Sequence, residues 1–118
     1  MSSYRLDRTS EDIMRELTAI LRHVKDPRVS GMLSIVRVEV TNDMSYATVY
    51  VSAMEGMDTA KKAVEGLKSA AGFMRHALGE ALRLRHVPEL RFVADDSIAY
   101  SAHIAQTLAD IERGGQDE

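Results

Sequence analysis

Ser69-Ala70-Ala71-Gly72-Phe73-Met74-Arg75 lies in the middle of a helical pattern and interrupts it without ending it. Ahead of it, Ala60, Ala63, Val64, Leu67 and Ala70 recur at helical spacing, and Asp58 or Thr59 stands where a cap would. Beyond it the pattern resumes from Phe73 to Val87, until Pro88 stops it. Glycine inside a helix costs about 1 kcal/mol relative to alanine. Gly72 therefore marks a kink between two helices rather than the interior of one.

Working outward, two strands precede this pair of helices. In Ser34-Ile35-Val36-Arg37-Val38-Glu39-Val40 the valines alternate with charged residues, a period of two with one wet face. Thr41-Asn42-Asp43-Met44 is turn chemistry. In Tyr46-Ala47-Thr48-Val49-Tyr50-Val51-Ser52-Ala53 the small and apolar residues share one face, with Tyr46, Thr48 and Tyr50 on the other. An antiparallel hairpin follows. Before it, Ile13, Leu17, Ile20, Leu21 and Val24 form one stripe of a first helix, with Thr9 and Asp12 resembling a capping box and Asp26-Pro27 as its stop. After Pro88, Leu90 to Ala94 is long enough for one more strand. Ser97 is placed to cap a last helix through Ile98, Ala102, Ala105, Leu108 and Ile111, closed by Gly114-Gly115.

The resulting order, α-β-β-α-kink-α-β-α, is an α+β domain with a three-stranded sheet packed on helices. A single domain over 1–113 and a short disordered tail at 114–118 are expected. A chain of 118 residues is long enough to bury one core without a disulfide or metal staple. With no cysteine, disulfides, thiolate metal sites and thiol catalysis are all excluded. No apolar run approaches a membrane span, and Met1 to Arg8 has no apolar segment of the secretory kind, so a cytoplasmic location is expected.

The net charge of −3 argues against a strong nucleic-acid binder until the chain is divided. Residues 61–91 hold seven bases against three acids, whereas 92–118 hold only Arg113 against six acids. That polarity points to one attractive face and one repulsive end. Enzyme signals are thin. The four histidines have no partner at metal-ligand spacing. Asp95-Asp96 precedes a helix start, where capping explains it better than acid–base chemistry. Ser97, His103 and Asp110 share only the residue types of a triad, on differing faces of one helix. No catalysis and no cofactor are expected.

The kink itself is the informative feature. Small residues there allow another backbone to approach closely, and the next helix begins with unpaired N–H groups suited to phosphate. Arg75 stands in that first turn, where a purely structural helix would favour an acid. Arg75, Gly79, Arg83 and His86 then form a polar stripe opposite Leu78 and Leu82, with Lys61 and Lys68 seven residues apart on the preceding helix. A solvated amphipathic face is the plain alternative.

Several segments together resemble the ribosome-binding factor A family, bacterial assembly factors of the small ribosomal subunit. They are Val24-Lys25-Asp26-Pro27-Arg28, Met44 to Val51, Ala70-Ala71-Gly72-Phe73-Met74-Arg75, Leu82 to Phe92, and Asp95-Asp96-Ser97. The resemblance spans about Leu6 to Ile111. It implies a type II KH-like domain in which Ala70-Ala71-Gly72 replaces the usual Gly-x-x-Gly loop. It also implies binding to free 30S subunits and 16S rRNA, support of late rRNA maturation near the 5′ end, a role in cold adaptation, and release promoted by an assembly GTPase. The chain would act as a monomer, with no membrane partner.

On this reading Ala70, Ala71 and Gly72 let an rRNA backbone approach. Arg75, Arg83 and Arg85 neutralise phosphates, with Lys61, Lys68, Lys25 and Arg28 as a flanking ring. The stem of Arg85 could instead cover core surface. Tyr46 and Tyr50 could stack on bases or pack across strands. The rival reading is a protein–protein adaptor that binds through the open sheet face.

Overall fold

The computed structural model describes residues 2–116, with side chains over 8–113. In chain order it contains α1 (Ser2–Leu21), β1 (Leu33–Val40), β2 (Tyr46–Ala53), α2 (Met57–Ser69), α3 (Ala71–Leu82), β3 (Glu89–Asp95) and α4 (Ser97–Gln116). The sheet order is β1-β2-β3, with β1 antiparallel and β3 parallel to β2. This is the α+β, KH-like arrangement expected from the sequence.

One face of the sheet is covered by helices. Ala47, Val49, Val51 and Ala53 of β2 are fully buried, and Ile35, Val38, Leu90 and Phe92 join them from the neighbouring strands. Against this layer α1 places Ile13, Leu17 and Ile20, α2 places Ala60, Ala63, Val64 and Leu67, and α3 places Met74 and Leu78. Each of the larger side chains contributes about 1.5–3 kcal/mol by leaving water.

Several local expectations are corrected. The valine alternation of β1 is broken by a bulge between Ile35 and Arg37, so Ile35 and Val38, three residues apart, both face the core. An extra residue in one strand flips the side-chain alternation beyond it. Thr9 does not cap α1 but lies inside it, because helix continues back to Ser2. At its other end α1 closes at Leu21, where the amides of Arg22, His23 and Val24 turn to carbonyls three residues back. Neither Asp58 nor Thr59 caps α2. Gly56, at φ 115°, is the residue before its first turn. That positive φ favours glycine.

The kink also moves. Ala70 (φ −92°, ψ 5°) is the one residue between α2 and α3, and Gly72 sits inside the first turn of α3. Ala70 keeps its amide bonded to the carbonyls of Gly66 and Leu67 while its own carbonyl accepts from Met74. Ala70 thus keeps both of its own backbone hydrogen bonds at the bend, which requires no glycine. α3 ends at Leu82 rather than Val87, with Arg83 in the left-handed region (φ 52°). The chain must double back there so that Glu89 enters parallel register opposite Tyr46. α4 runs through Gly114 and Gly115, since glycine weakens a helix without ending it unless the backbone turns left-handed. Of the tail expected at 114–118, the last two residues lie outside the described ones. Only the start of α4 is half-buried, at Ile98, Ala99 and Ala102; Leu108 and Ile111 are exposed.

Two helix glycines separate packing from propensity. A Cβ on Gly66 would stand 2.6 Å from Val29 Cγ2, whereas one on Gly72 would meet nothing within 4 Å. Gly66→Ala is expected to destabilise the fold by about 1–3 kcal/mol through overpacking. Gly72→Ala is expected to stabilise it by about 0.5 kcal/mol through helix propensity. Urea unfolding of both variants beside the parent chain checks the opposite signs.

Candidate nucleic-acid interface

The outward side of the α2–α3 turn is built by three contacts. Deep to it, Leu67, Met74 and Leu78 are fully buried and set the angle between the helices. On one flank, the loop after α1 is pressed onto α2 at Gly66, where Val29, Arg28 and Asp26 all approach the glycine. Asp26 accepts hydrogen bonds from the Arg28 amide (2.9 Å), Nε (3.0 Å) and Nη2 (2.8 Å), and Nη2 also reaches Ser69 Oγ at 3.1 Å. This strut ties the Asp26-Pro27-Arg28 loop to the last residue of α2. On the other flank, Arg75 donates from Nε (3.1 Å) and Nη2 (2.7 Å) to the Val87 carbonyl. Val87 Cγ2 in turn lies 2.8 Å from where a Gly79 Cβ would stand, so the loop 84–88 packs directly on the α3 backbone.

Two open depressions flank the turn. One, of about 530 Å³, is lined by Gly72, Arg75, His76, Gly79, Glu80, Arg85, His86 and Val87. The other, of about 360 Å³, is lined by His23, Val24, Lys25, Asp26, Ser69, Ala70 and Phe73. Gly72 is exposed between them, and its open Cβ position leaves the backbone approachable.

The sequence-selected residues distribute unevenly over this surface. Gly72, Arg75 and Arg85 border the larger depression, and Ala70 and Lys25 the smaller. Ala71 is half-buried in the first turn of α3 and supports the turn without lining either. Arg83 caps α3 in left-handed conformation and stands outside the set of residues that line the larger depression. Lys68 lies next to the turn and contacts Glu65 at 3.4 Å, an exposed pair. Lys61 is nine residues before Ala70, about 14 Å along the helix at 1.5 Å per residue, and is the most remote. The single helical stripe expected of Arg75, Gly79, Arg83 and His86 does not form, because α3 ends at Leu82, before Arg83 and His86.

Among the lining residues that sequence reasoning passed over, three carry rings. Phe73 is 52% exposed, His23 stands in the turn that follows α1, and His76 contacts Glu80 Oε1 at 2.9 Å. The signal for Phe73 was its position off the Met74–Leu78 stripe.

The open sheet face is less available than its tyrosines suggest. The Arg91 guanidinium lies 3.7 Å from the centre of the Tyr46 ring, and that of Arg37 lies 4.4 Å from Tyr50. Both rings are thus engaged across strands by cation–π contact. Asp95 accepts from the Ser97 amide at 2.7 Å, and Ser52 Oγ accepts from the Ile98 amide, which fixes the start of α4. Those bonds from Ser97 hold the Asp95 carboxyl below the usual carboxylate range. Capping is what Asp95 does. Among the described residues no group of acids and histidines is arranged to hold a metal ion, and no helix is long and apolar enough to cross a membrane.

Comparison with known proteins adds to this geometry. The family model for ribosome-binding factor A matches residues 5–108. A ribosome-binding factor A from Caldanaerobacter subterraneus subsp. tengcongensis is 41% identical over 116 residues, covering 98% of this chain and 95% of that protein. The crystal structure of ribosome-binding factor A from Thermus thermophilus superposes with a TM-score of 0.66 at 26% identity, over 75% of this chain and 94% of that one. A Thermus thermophilus ribosome binding factor A homology model, fitted into the cryo-EM map of a 30S complex, matches with a TM-score of 0.59 at 28% identity, covering 70% of this chain and 86% of that one.

The Asp26 strut has a pH signature. Bonds from the Arg28 side chain, then from its amide, hold the Asp26 carboxyl down at about 2. A carboxyl lowered in the folded state adds stability above its unfolded value, and that stability is lost as pH falls through the folded value. The loop 26–29 should therefore stay anchored at pH 4 and release towards pH 2. NMR titration of the Asp26 side-chain carboxyl should give a midpoint near 2, and Asp26→Asn should abolish the acid-dependent shift of the Val29 methyls.

Proposed function

The chain belongs to the ribosome-binding factor A family, and from that premise we propose that it is a non-catalytic assembly factor of the small ribosomal subunit. It binds the free 30S particle, contacts 16S rRNA and assists late maturation near the 5′ end, with a role in growth in the cold. Release by an assembly GTPase, action as a monomer and a cytoplasmic location belong to the same reading.

The observation that carries it is the α2–α3 turn, whose backbone is bare at Gly72 and whose flanks carry Lys25, Arg75 and Arg85. The 30S complex into which a structural neighbour was fitted supports the choice of particle. Ala70, Ala71 and Gly72 admit the sugar–phosphate backbone. Arg83 and Arg85 supply charge to phosphates, while Arg75 has donors left after bonding Val87. Lys25 and Lys68 stand beside the turn. Arg28, engaged by Asp26 and Ser69, positions the loop that presents Lys25, and Lys61 contributes at longer range. Such contacts orient the protein without reading sequence, so the shape of the particle determines recognition.

The adaptor alternative places the partner on the open sheet face. It has less to stand on, since Tyr46 and Tyr50 are already covered by Arg91 and Arg37.

Co-sedimentation with purified 30S subunits and with 70S ribosomes tests the reading. With four of these cations on phosphates, 30S binding is expected to weaken about 50- to 150-fold between roughly 50 and 200 mM salt. Gly72→Asp, which adds a carboxylate in open space, and the pair Arg83→Glu/Arg85→Glu should each weaken binding by about tenfold or more with the fold intact. Binding that ignores both salt and these substitutions would overturn the proposal.

A further inference from the structure

Phe73 is an aromatic ring left in water beside a turn whose other large apolar side chains are fully buried. It is 52% exposed, whereas its neighbour Met74 and the next-turn Leu78 are 0% exposed. Among the described residues the aromatic rings of the open sheet face, Tyr46 and Tyr50, each carry a guanidinium over one face, and no cation lies over Phe73. The ring borders the depression of about 360 Å³ that also contains Ala70, Val24, Lys25, Asp26, Ser69 and His23. That volume is at the small end of the range for ligand sites.

The walls of this cleft are braced rather than loose. The Asp26–Arg28–Ser69 bonds tie the α1–β1 loop to the end of α2, and Val29 abuts Gly66. Between that loop and Phe73 there is a slot lined by an apolar ring and the Ala70 and Val24 side chains, with Lys25 and His23 also bordering it. Lys68 lies one residue from Ser69, and the neighbouring Gly72 backbone is bare. An apolar slot with Lys25 at its rim, and with the Asp26 carboxylate already paired to Arg28, is complementary to a flat group attached to an anion.

We infer that this cleft holds an unpaired nucleobase of RNA, stacked on the Phe73 ring, with its phosphates beside Lys25 and the Gly72 backbone. The inference rests on the RNA-binding reading above and adds the chemical group that is held. Every base presents a π face, so such a stack is tolerant of sequence, in keeping with recognition by particle shape. It also explains why an exposed phenylalanine stands beside the bare turn.

The chain has no tryptophan, so Phe73→Trp places the sole indole at the cleft. Its emission is titrated with single-stranded heptaadenylate, and the affinities of the parent chain and of Phe73→Ala, Phe73→Leu and Phe73→Tyr for 30S subunits are measured by co-sedimentation. Stacking predicts quenching of the indole by the oligonucleotide. It also predicts about tenfold weaker 30S binding for both Ala and Leu, and binding within about twofold of the parent for Tyr. Leucine keeps apolar bulk but has no π face. If Phe73→Leu binds 30S as the parent does, the ring meets a protein surface instead and the inference falls, as it does if heptaadenylate leaves the emission unchanged. If the parent fails to bind 30S while the indole is quenched, the assembly-factor reading falls and the base site stands. Thermal unfolding of each variant separates loss of binding from loss of fold.

Discussion

Parallel pairing of β2 with β3 is the constraint from which most of this structure follows. Parallel neighbours cannot be joined by a tight turn and need a crossover, which here consists of α2 and α3 bent at Ala70. The crossover must bring the chain from Ala53 back to Glu89 beside Tyr46 and still bury one face of each helix. Two latches secure it. The Asp26–Arg28–Ser69 bonds hold the end of α2, and Arg75 holds the loop that leads into β3 through the Val87 carbonyl. What the crossover turns outward, between these latches, is the bare turn with Gly72 and Phe73. The candidate interface is therefore the unburied side of the element that makes the sheet possible.

The same constraint explains what could be read in the sequence and what could not. β2 was legible because its inward positions are all small or aliphatic and no bulge disturbs them. β1 misled because Val36, Val38 and Val40 alternate cleanly, whereas the bulge that brings Ile35 inward instead of Val36 is a matter of register with β2. The parallel sense of β3 has no local signature in seven residues. Helix ends were misplaced wherever the backbone supplied the cap, as at Gly56 and at left-handed Arg83. The kink was assigned to Gly72 on propensity. The structure bends instead at alanine, where Ala70 keeps its own amide and carbonyl bonded and needs no unusual φ.

For the site, residue types were legible and their employment was not. Cations around the turn were visible as a charge excess over 61–91, but sequence could not say which were already engaged. Arg28 meets Asp26 through its amide, Nε and Nη2, a geometry that neither water nor phosphate displaces easily. Lys68 with Glu65 is an exposed pair of the kind worth about 0–1 kcal/mol, so a phosphate competes for it readily. Arg75 carries a structural load that a charge reversal would disturb together with any phosphate contact. Arg83 and Arg85 are the cleaner electrostatic residues, although the reading that selected them placed both on a helix that ends at Leu82.

Placement of charge over the whole molecule then resolves the apparent conflict of an acidic protein with an anionic partner. α2 runs back from the Ala53 end of β2 towards the end that carries Tyr46, so the turn lies at that end. β3 then runs alongside β2 in the same direction, and α4 begins where it stops, beside Ser52. The cation-rich turn and the last helix, which carries Asp110 and Glu112, thus leave opposite ends of the sheet. The eight residues of β2 hold those ends roughly 25 Å apart, about three times the screening length of about 8 Å at physiological ionic strength, so charges beyond the far end of the sheet weaken the field at the turn very little. At longer range and lower salt the two ends act together as a dipole that presents the turn first to a polyanion. Net charge is the wrong quantity for such a protein, and on the proposed reading the local charge within one screening length of the turn governs binding.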